Sequence, residues 1–489
     1  MSPLTRRRFL GDVSAAAAVS LLPRTLGAEP EKGAPPAPGP NGRLRVAVIG
    51  VRGQGRAHLR WLLDQPDTDV AAVVDADLAP EIIGPAVKMV EKSRGKPPAV
   101  VQDLRKMLDD KSIDAVTIAT PDHWHALAAV WALQAGKDVY VEKPVSHGVR
   151  EGRVIVDWAR KLGRIAQTGT QGRSCRAMID MAAYVRSGKL GKIAVARALT
   201  YKKRDSIGRP EGDGSIPPTV DHDVYCGPAP LRPPRRRQYH YDWHWFYDYA
   251  GGGDLPASGV HQLDTLRWAI GKEGLPKGVV SFGGRYVWDD NGETPNTQMT
   301  LFDYGDVTVV SEVRNIASTD YRNHPRAGIG ILFHGSEGTL VCNGNSQAVV
   351  FDPKGAEVTR FEGGGDHMRN FLDAVKSRRR EDLAADILEG HVSSALCYLG
   401  SVAYRAGRAV PFGDAPSLLG NDPETMDVLE RTKEHLRANG VDLAKEKIVV
   451  SPRLTLDPAA ERFTGDGAAA ANAFLTREYR APYELPGKA

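Results

Sequence analysis

Leu44-Arg45-Val46-Ala47-Val48-Ile49-Gly50-Val51-Arg52-Gly53-Gln54-Gly55 sets the fold. The first six residues form a short apolar run, the pattern of a strand buried in a parallel sheet. The run leads into Gly50, Gly53 and Gly55, and Ala57 to Leu63 then takes a helical spacing. Glycine lets the backbone approach a pyrophosphate, and a helix start offers N–H groups and a favourable dipole. Arg52 stands where the middle glycine of G-x-G-x-x-G would fall, with Gly53 after it. Val70 to Val74 is a second apolar run, ending in Asp75, twenty residues past Gly55. A carboxylate there accepts both hydroxyls of a ribose and repels a 2′-phosphate, which predicts NAD rather than NADP.

Outward from this turn, strands and helices alternate. Ala115 to Ala119, Val139 to Val141 and Ile165 to Thr168 read as strands, and Trp124 to Ala135 and Val149 to Leu162 as helices. Alternation implies a parallel sheet with right-handed crossovers. The rhythm changes near residue 170. A helix at Ala177 to Ser187 leads to a strand at Ile193 to Tyr201, then an irregular stretch from Lys202 to Gly253 and a helix at Ser258 to Ile270. Val279 to Trp288, Thr297 to Tyr304, Val307 to Arg314, Gly328 to His334 and Ala348 to Asp352 follow as strands, with helices at His367 to Lys376 and Ile387 to Ala406. Asn291-Gly292 and Gly335-Ser336 are turn dipeptides between them, so this sheet is antiparallel. The predicted fold is α/β: a Rossmann domain at 44–168, then an α/β domain at 169–415 with an open, mainly antiparallel sheet. Residues 416–489 read as a polar, partly helical tail. The site is expected between the domains, at the carboxyl ends of the parallel strands.

The chain has 489 residues, 42% hydrophobic and 25% charged, with a formal net charge of +4. That charge is too small for a dedicated nucleic-acid binder, and the run Arg232 to Arg237 reads as a solvated loop. Cys175, Cys226, Cys342 and Cys397 have no metal-ligand spacing, and no metal is predicted. Thr5-Arg6-Arg7-Arg8-Phe9-Leu10 resembles a twin-arginine export motif. The apolar Val13 to Leu22 is too short to span a bilayer. A signal peptide ending at Ala28, a linker at 29–43 and a periplasmic location without a membrane span are therefore expected.

Further segments carry a family resemblance. They are Thr120-Pro121-Asp122-His123-Trp124-His125 and Ala135-Gly136-Lys137-Asp138-Val139-Tyr140-Val141-Glu142-Lys143-Pro144. Gly169-Thr170-Gln171, Gly251-Gly252-Gly253-Asp254-Leu255, Gly259-Val260-His261-Gln262-Leu263-Asp264, Gly335-Ser336-Glu337-Gly338-Thr339 and Asn370-Phe371 follow in order. Over residues 44 to 410 the chain resembles the glucose–fructose oxidoreductase, inositol dehydrogenase and rhizopine-catabolism family (Gfo/Idh/MocA). Glu478-Tyr479-Arg480-Ala481-Pro482-Tyr483 looks like a subgroup of exported bacterial members.

The resemblance implies that Lys143 lies beside the nicotinamide, bonds the reacting oxygen and helps its proton move. His261 matches the family's acid/base, and Asp264, on the same helix face, either orients it or binds sugar hydroxyls. It also implies a cofactor wall made by Gly50, Arg52, Gly53, Gln54, Gly55, Asp75, Thr120, Pro121, His123, His125, Glu142, Lys143 and Gln171. Ala257 replaces an acid that family dehydrogenases often carry four residues before the histidine, and Asp242 or Asp248 is a candidate substitute. Tyr239 to Tyr249 is dense in aromatics, with Asp242, Trp243 and His244 among them. Such a run either covers a sugar's C–H faces and bonds its hydroxyls, or packs a core or a subunit interface. The expected activity is NAD(H)-dependent hydride transfer to or from a carbohydrate, polyol or sugar derivative, with the cofactor tightly held. A redox-neutral glycoside cleavage by oxidation, elimination and reduction is the alternative, and a non-catalytic nucleotide- and sugar-binding protein the second. The resemblance further implies a homo-oligomer, a dimer or a tetramer.

Overall fold

The computed structural model describes residues 42–323, 328–344 and 346–487. The predicted export signal and nearly all of the linker lie outside the described residues. Strands β1 (Leu44–Ile49), β2 (Thr68–Val74), β3 (Ala99–Val101), β4 (Ala115–Ile118), β5 (Asp138–Val141) and β6 (Ala166–Thr168) form a six-stranded sheet in the order β3-β2-β1-β4-β5-β6. Every pairing in it is parallel. Side chains alternate across a strand. Val46 and Val48 of β1 thus face one core with Leu59 and Leu62, while Ala47 and Ile49 face another with Leu127 and Val130. Helices cover both faces, which is why β1 is apolar and buried from Val46 to Ile49. The strand order reverses between β1 and β4, and the connections diverging there open a crevice at their carboxyl ends. β3 carries no periodic signal in the sequence: it is a short edge strand with two of its three residues exposed.

The second sheet has twelve strands. Its centre is β7 (Ile193–Tyr201), parallel to β10 (Thr308–Arg314) and antiparallel to β11 (Ile329–Gly335). β8 (Gly278–Gly284) and β9 (Thr297–Asp303) extend one side, and β12 (Gly338–Asn343), β13 (Gln347–Phe351) and β14 (Glu357–Glu362) the other. Apart from β7–β10, the pairings are antiparallel. One face buries Ala196, Ala198, Phe302, Val309 and Phe333 against the Arg176–Arg186, Val260–Ala269 and Ile387–Arg405 helices.

The segment from residue 416 is no separate tail. Its Pro423–Ala438 helix lays Val428, Leu429 and Leu436 on Val280, Phe282, Met299 and Val310 of the sheet's other face. Just before it, β15 (Arg408–Pro411) forms the sheet's edge. The segment itself supplies β16 (Lys447–Val450), which pairs with β15 and β8, then β17 (Leu454–Asp457), which also pairs with β8, and β18 (Arg462–Thr464). These last three strands are three or four residues long and expose alternate positions, so their composition reads as polar. Beyond them the chain returns to the first domain. Tyr483 is fully buried, edge-on to Trp124, and donates to Asp223 Oδ2 at 2.6 Å. Arg477 pairs with Glu151 at 2.7 Å.

Candidate active site

A cleft of about 590 Å³ opens at the carboxyl ends of β1, β2, β4 and β5. Gly50, Arg52, Gly53, Gln54, Asp75, Thr120, Pro121, His125, Glu142 and Lys143 line it, and Tyr241, Trp243 and His244 close its far wall. Gly50 takes a left-handed φ of 80°, and a Cβ on it would sit 2.6 Å from the Ala119 carbonyl oxygen. A Cβ on Gly55 would lie 1.7 Å from the Gly50 oxygen, so this glycine lets the Gly53–Leu63 helix close on β1. Gly53 meets nothing within 4 Å and presents bare backbone to the cleft. No side chain caps that helix and no acid sits in its first turn, so its leading N–H groups and positive end face an incoming anion.

Asp75 accepts hydrogen bonds from Val51 N at 2.9 Å and Asp77 N at 3.1 Å. Burial pushes its carboxyl up to about 6, against the pull of those two N–H groups. Thr120 Oγ1 and Asp122 Oδ2 are buried in the cleft wall without a hydrogen-bond partner. Burial lifts the Asp122 carboxyl to about 8, so it is neutral at neutral pH and has a proton to donate. A bare glycine turn, an uncapped helix start, a ribose-height carboxylate and orphaned donors deeper in fit a dinucleotide lying from Gly53 toward Lys143.

Glu142 braces this wall. Its Oε1 lies 3.0 Å from His58 Nε2, Gln54 Nε2 and Gln171 Nε2. Burial alone would raise its carboxyl, yet His58, Lys143 and Gln54 hold it near 2. Gln171 therefore stands behind Glu142 and does not line the cleft. His125 lines the cleft and bridges two carbonyls, Pro144 at 2.6 Å and Thr120 at 2.9 Å, which ties the strand ends together. His123, predicted on the cofactor wall, is turned away: it is fully buried, 2.9 Å from the Tyr225 carbonyl and edge-on to Tyr249. The next two residues of the same helix, Trp124 and His125, meet the cleft in its place.

At the far end, Lys143 Nζ donates to the Ala257 carbonyl at 3.0 Å. Ala257 lies in a π-helical turn, Leu255–Gly259, that precedes the Val260–Ala269 helix carrying His261. His261 Nδ1 is buried without a partner. Burial and then the Lys143 charge lower the imidazole to about 4, so it is neutral and able to take a proton at neutral pH. His244 is similar: Nδ1 lies 2.6 Å from the Tyr241 carbonyl, its ring stacks on Trp243, and burial lowers it to about 4. The structure thus brings Lys143, His244 and Trp243 to the cleft lining, with His261 buried off the lining and within electrostatic reach of Lys143.

Two predicted carboxylates are elsewhere. Asp264 is buried with Arg173 gripping both oxygens at 2.9 Å and Ser393 donating at 2.7 Å. Arg173 goes on to Glu389, which also holds Arg267. Asp264 is the anchor of a buried ion-pair network, not a catalytic or sugar-binding group. Asp242 is buried too, and accepts from Gln238 N at 2.8 Å, off the cleft lining. Asp248 pairs with Arg232 on the surface.

A carboxylate that does stand by the reacting end is Asp254, which the sequence shows only as the close of a glycine run. It is buried, takes Arg204 in two hydrogen bonds of 2.7 and 2.9 Å, and accepts from Ser258 Oγ and Asn315 Nδ2. Arg204 also donates to Tyr241 Oη at 2.6 Å, linking this pair to the cleft wall. Lys202, two residues earlier, is half-buried; burial and then the Arg204 charge hold its ammonium below the ordinary lysine value. These residues lie in irregular stretches, where no periodicity marks them. Among the described residues, no group of three or more His, Cys, Asp or Glu side chains is placed to hold a metal ion, and the four cysteines are buried and unpaired.

Comparison with known proteins places this architecture. Residues 44–170 match the model of an oxidoreductase family with an NAD-binding Rossmann fold, and residues 185–439 match that family's C-terminal α/β domain. An inositol 2-dehydrogenase 2 of Saccharopolyspora erythraea is 25% identical over 351 residues, 71% of this chain and 85% of its own length. A glycosyl hydrolase family 109 protein of Stenotrophomonas maltophilia is 32% identical over 256 residues, 49% of this chain. The chain spans about half, 51%, of that relative's length. A levoglucosan dehydrogenase solved with NADH and levoglucosan shares the fold, with a TM-score of 0.53 at 19% identity, covering 73% of this chain and 95% of that one. This chain belongs to the Gfo/Idh/MocA family of NAD-binding oxidoreductases.

Proposed function

We propose that the protein transfers hydride between a tightly held NAD and a carbohydrate, polyol or sugar derivative. The observation that carries this is the Lys143 ammonium set beside a neutral histidine, His261, whose Nδ1 has no partner, at the far end of a dinucleotide-shaped cleft. NAD, when bound, supplies the hydride acceptor or donor. Lys143 uses one of its three N–H groups on Ala257 and keeps two for the substrate oxygen, where its charge stabilises a developing alkoxide. His261 accepts the hydroxyl proton, with His244 as the second neutral imidazole at that end. Trp243 offers an aromatic face to the sugar ring. Asp75 supports NAD over NADP, because its carboxylate accepts ribose hydroxyls and repels a 2′-phosphate.

A redox-neutral reading has its own support: Ala257 offers Lys143 a carbonyl where an acid would otherwise stand, and one relative carries a glycosyl hydrolase name. In that reading the same Lys143 and His261 oxidise a sugar carbon, a neighbouring bond is eliminated, and the hydride returns. A sensor without turnover is the weaker alternative, since it has no use for a neutral histidine beside an ammonium. We further propose twin-arginine export to the periplasm and a homo-oligomeric assembly, both resting on sequence resemblance.

Lys143→Ala tests the core of this reading. Protein purified with its own nucleotide is mixed with sugars, and the near-ultraviolet absorbance of the reduced nucleotide is followed. The variant should keep nucleotide and lose about 10²- to 10⁴-fold in hydride transfer, the range for a positioned acid–base group. Unchanged transfer would remove Lys143 from the chemistry.

A further inference from the structure

The reacting end of the cleft has more cations than it has partners for them. Lys143 lines it, Arg204 meets its wall at Tyr241, and Lys202 lies within electrostatic reach of Lys143, Arg204 and Asp254, the ionised carboxylate among them. Arg204 spends its guanidinium on Asp254 and Tyr241. Lys202 is left over. Its ammonium makes no hydrogen bond or ion pair with any described residue, and it is close enough to Lys143 and His261 to act on both electrostatically.

Its placement is built rather than incidental. Lys202 and Arg204 follow β7, both part-buried while Lys203 between them is exposed, so the two share a side of the chain, and Arg204 pairs with Asp254. Asn315, just past the neighbouring strand β10, donates from Nδ2 to both the Lys202 carbonyl at 3.0 Å and Asp254 at 2.6 Å, and its own carbonyl accepts Arg204 N at 2.8 Å. Asp254 attracts the Lys202 ammonium, but burial and the Arg204 and Lys143 charges outweigh that attraction, so an anion bound there would stabilise it further. His244 and His261 are neutral and Asp122 is protonated at neutral pH. Glu142 is ionised, but His58, Gln54 and Gln171 occupy it. None of the other titratable groups facing this end therefore supplies a free negative charge.

We propose that Lys202 is a specificity residue and that the substrate is a sugar acid, its carboxylate seated on the Lys202 ammonium while Lys143 holds the reacting oxygen. A single ammonium suits a singly charged, compact group; the planar fork that would favour a phosphate is already taken up by Asp254. The inference rests on the carbohydrate reading of this cleft and narrows it.

The test uses the full chain loaded with its nucleotide. Trp243 lines the cleft, so tryptophan fluorescence reports binding. Each of several hexuronic acids is titrated beside its neutral hexose, in wild type, Lys202→Met and Lys202→Arg, with nucleotide absorbance read in the same cuvette. We expect at least one acid to bind tenfold or more tighter than its neutral partner, the preference to vanish in Lys202→Met, and Lys202→Arg to restore most of it. Failure of every acid to bind, equal binding of acid and neutral sugar, or a preference that survives in Lys202→Met overturns the proposal. The absorbance separates it from the broader reading. An acid that binds without any absorbance change keeps the acid subsite and counts against hydride transfer. Neutral sugars alone changing the absorbance keep hydride transfer and refute the acid subsite.

Discussion

The two ends of the cleft are built on opposite electrostatic plans. The end at β1 and β2 carries Asp75, whose oxygens take two backbone N–H groups in the cleft lining. Arg52 and Arg56, bare backbone and an uncapped helix start complete it. The end at β5 carries Lys143 with the neutral His244 in its wall and the neutral His261 near it, and Lys202 and Arg204 lie within electrostatic reach, the ionised Asp254 among them being committed to Arg204. A dinucleotide needs one carboxylate at its ribose and amides at its phosphates. Hydride chemistry on an alcohol needs positive charge where an alkoxide develops. The difference teaches that one crevice has been divided between recognition, by backbone amides, Arg52 and a carboxylate, and chemistry, by an ammonium near neutral imidazoles.

The largest effect expected from disturbing this division is on stability. Asp254→Asn takes the carboxylate from the part-buried Arg204, and Asp264→Asn leaves the buried Arg173 with Glu389 alone; breaking a buried pair costs about 3–5 kcal/mol. Urea unfolding should show both variants comparably destabilised. Turnover should separate them. Asp254 is tied through Arg204 to Tyr241 in the cleft wall, so Asp254→Asn should also slow hydride transfer, whereas Asp264→Asn, whose network runs to Glu389 and Arg267, should leave the rate of the folded enzyme unchanged. Equal loss of rate in both would erase the distinction drawn between the two acids.

A smaller effect belongs to the other end. The Asp75 carboxyl sits near 6 when folded, above its ordinary 3.8, because burial penalises the charge. Protonation therefore favours the folded chain at low pH, and that contribution fades as pH rises through about 6. Nucleotide recognition runs the other way, since the ribose hydroxyls need an acceptor. NAD affinity should fall about tenfold for each pH unit below 6, and Asp75→Asn should bind weakly with little pH dependence. A wild-type affinity that is flat across this window would show that Asp75 does not carry the ribose.

How much of this was legible in the sequence follows the same division. β1, its glycine turn and Asp75 sit within about thirty residues, and local rules of period and turn chemistry are enough to read them. Lys143 and His261 were legible only through family motifs, because nothing in a lone Glu-Lys-Pro or a helical histidine announces that the two meet. His123 and Asp264 misled for a common reason: helical spacing gives a face but not which neighbour covers it, and Tyr225 and Arg173 cover these two. Asp254 was legible as part of a family motif but not in its role, and Lys202 not at all, because the two come from separate segments joined by Asn315. The segment past residue 416 misled through its polarity, although its buried half completes the second sheet.

The most direct test of hydride transfer to a sugar is the mass of the products formed from a mixed panel of free sugars, sugar acids and glycosides by protein carrying its own nucleotide. The account predicts a product lighter than its substrate by two hydrogens, with reduced nucleotide formed in step. A cleaved glycoside with the nucleotide unchanged at the end would contradict net oxidation and establish the redox-neutral course in its place.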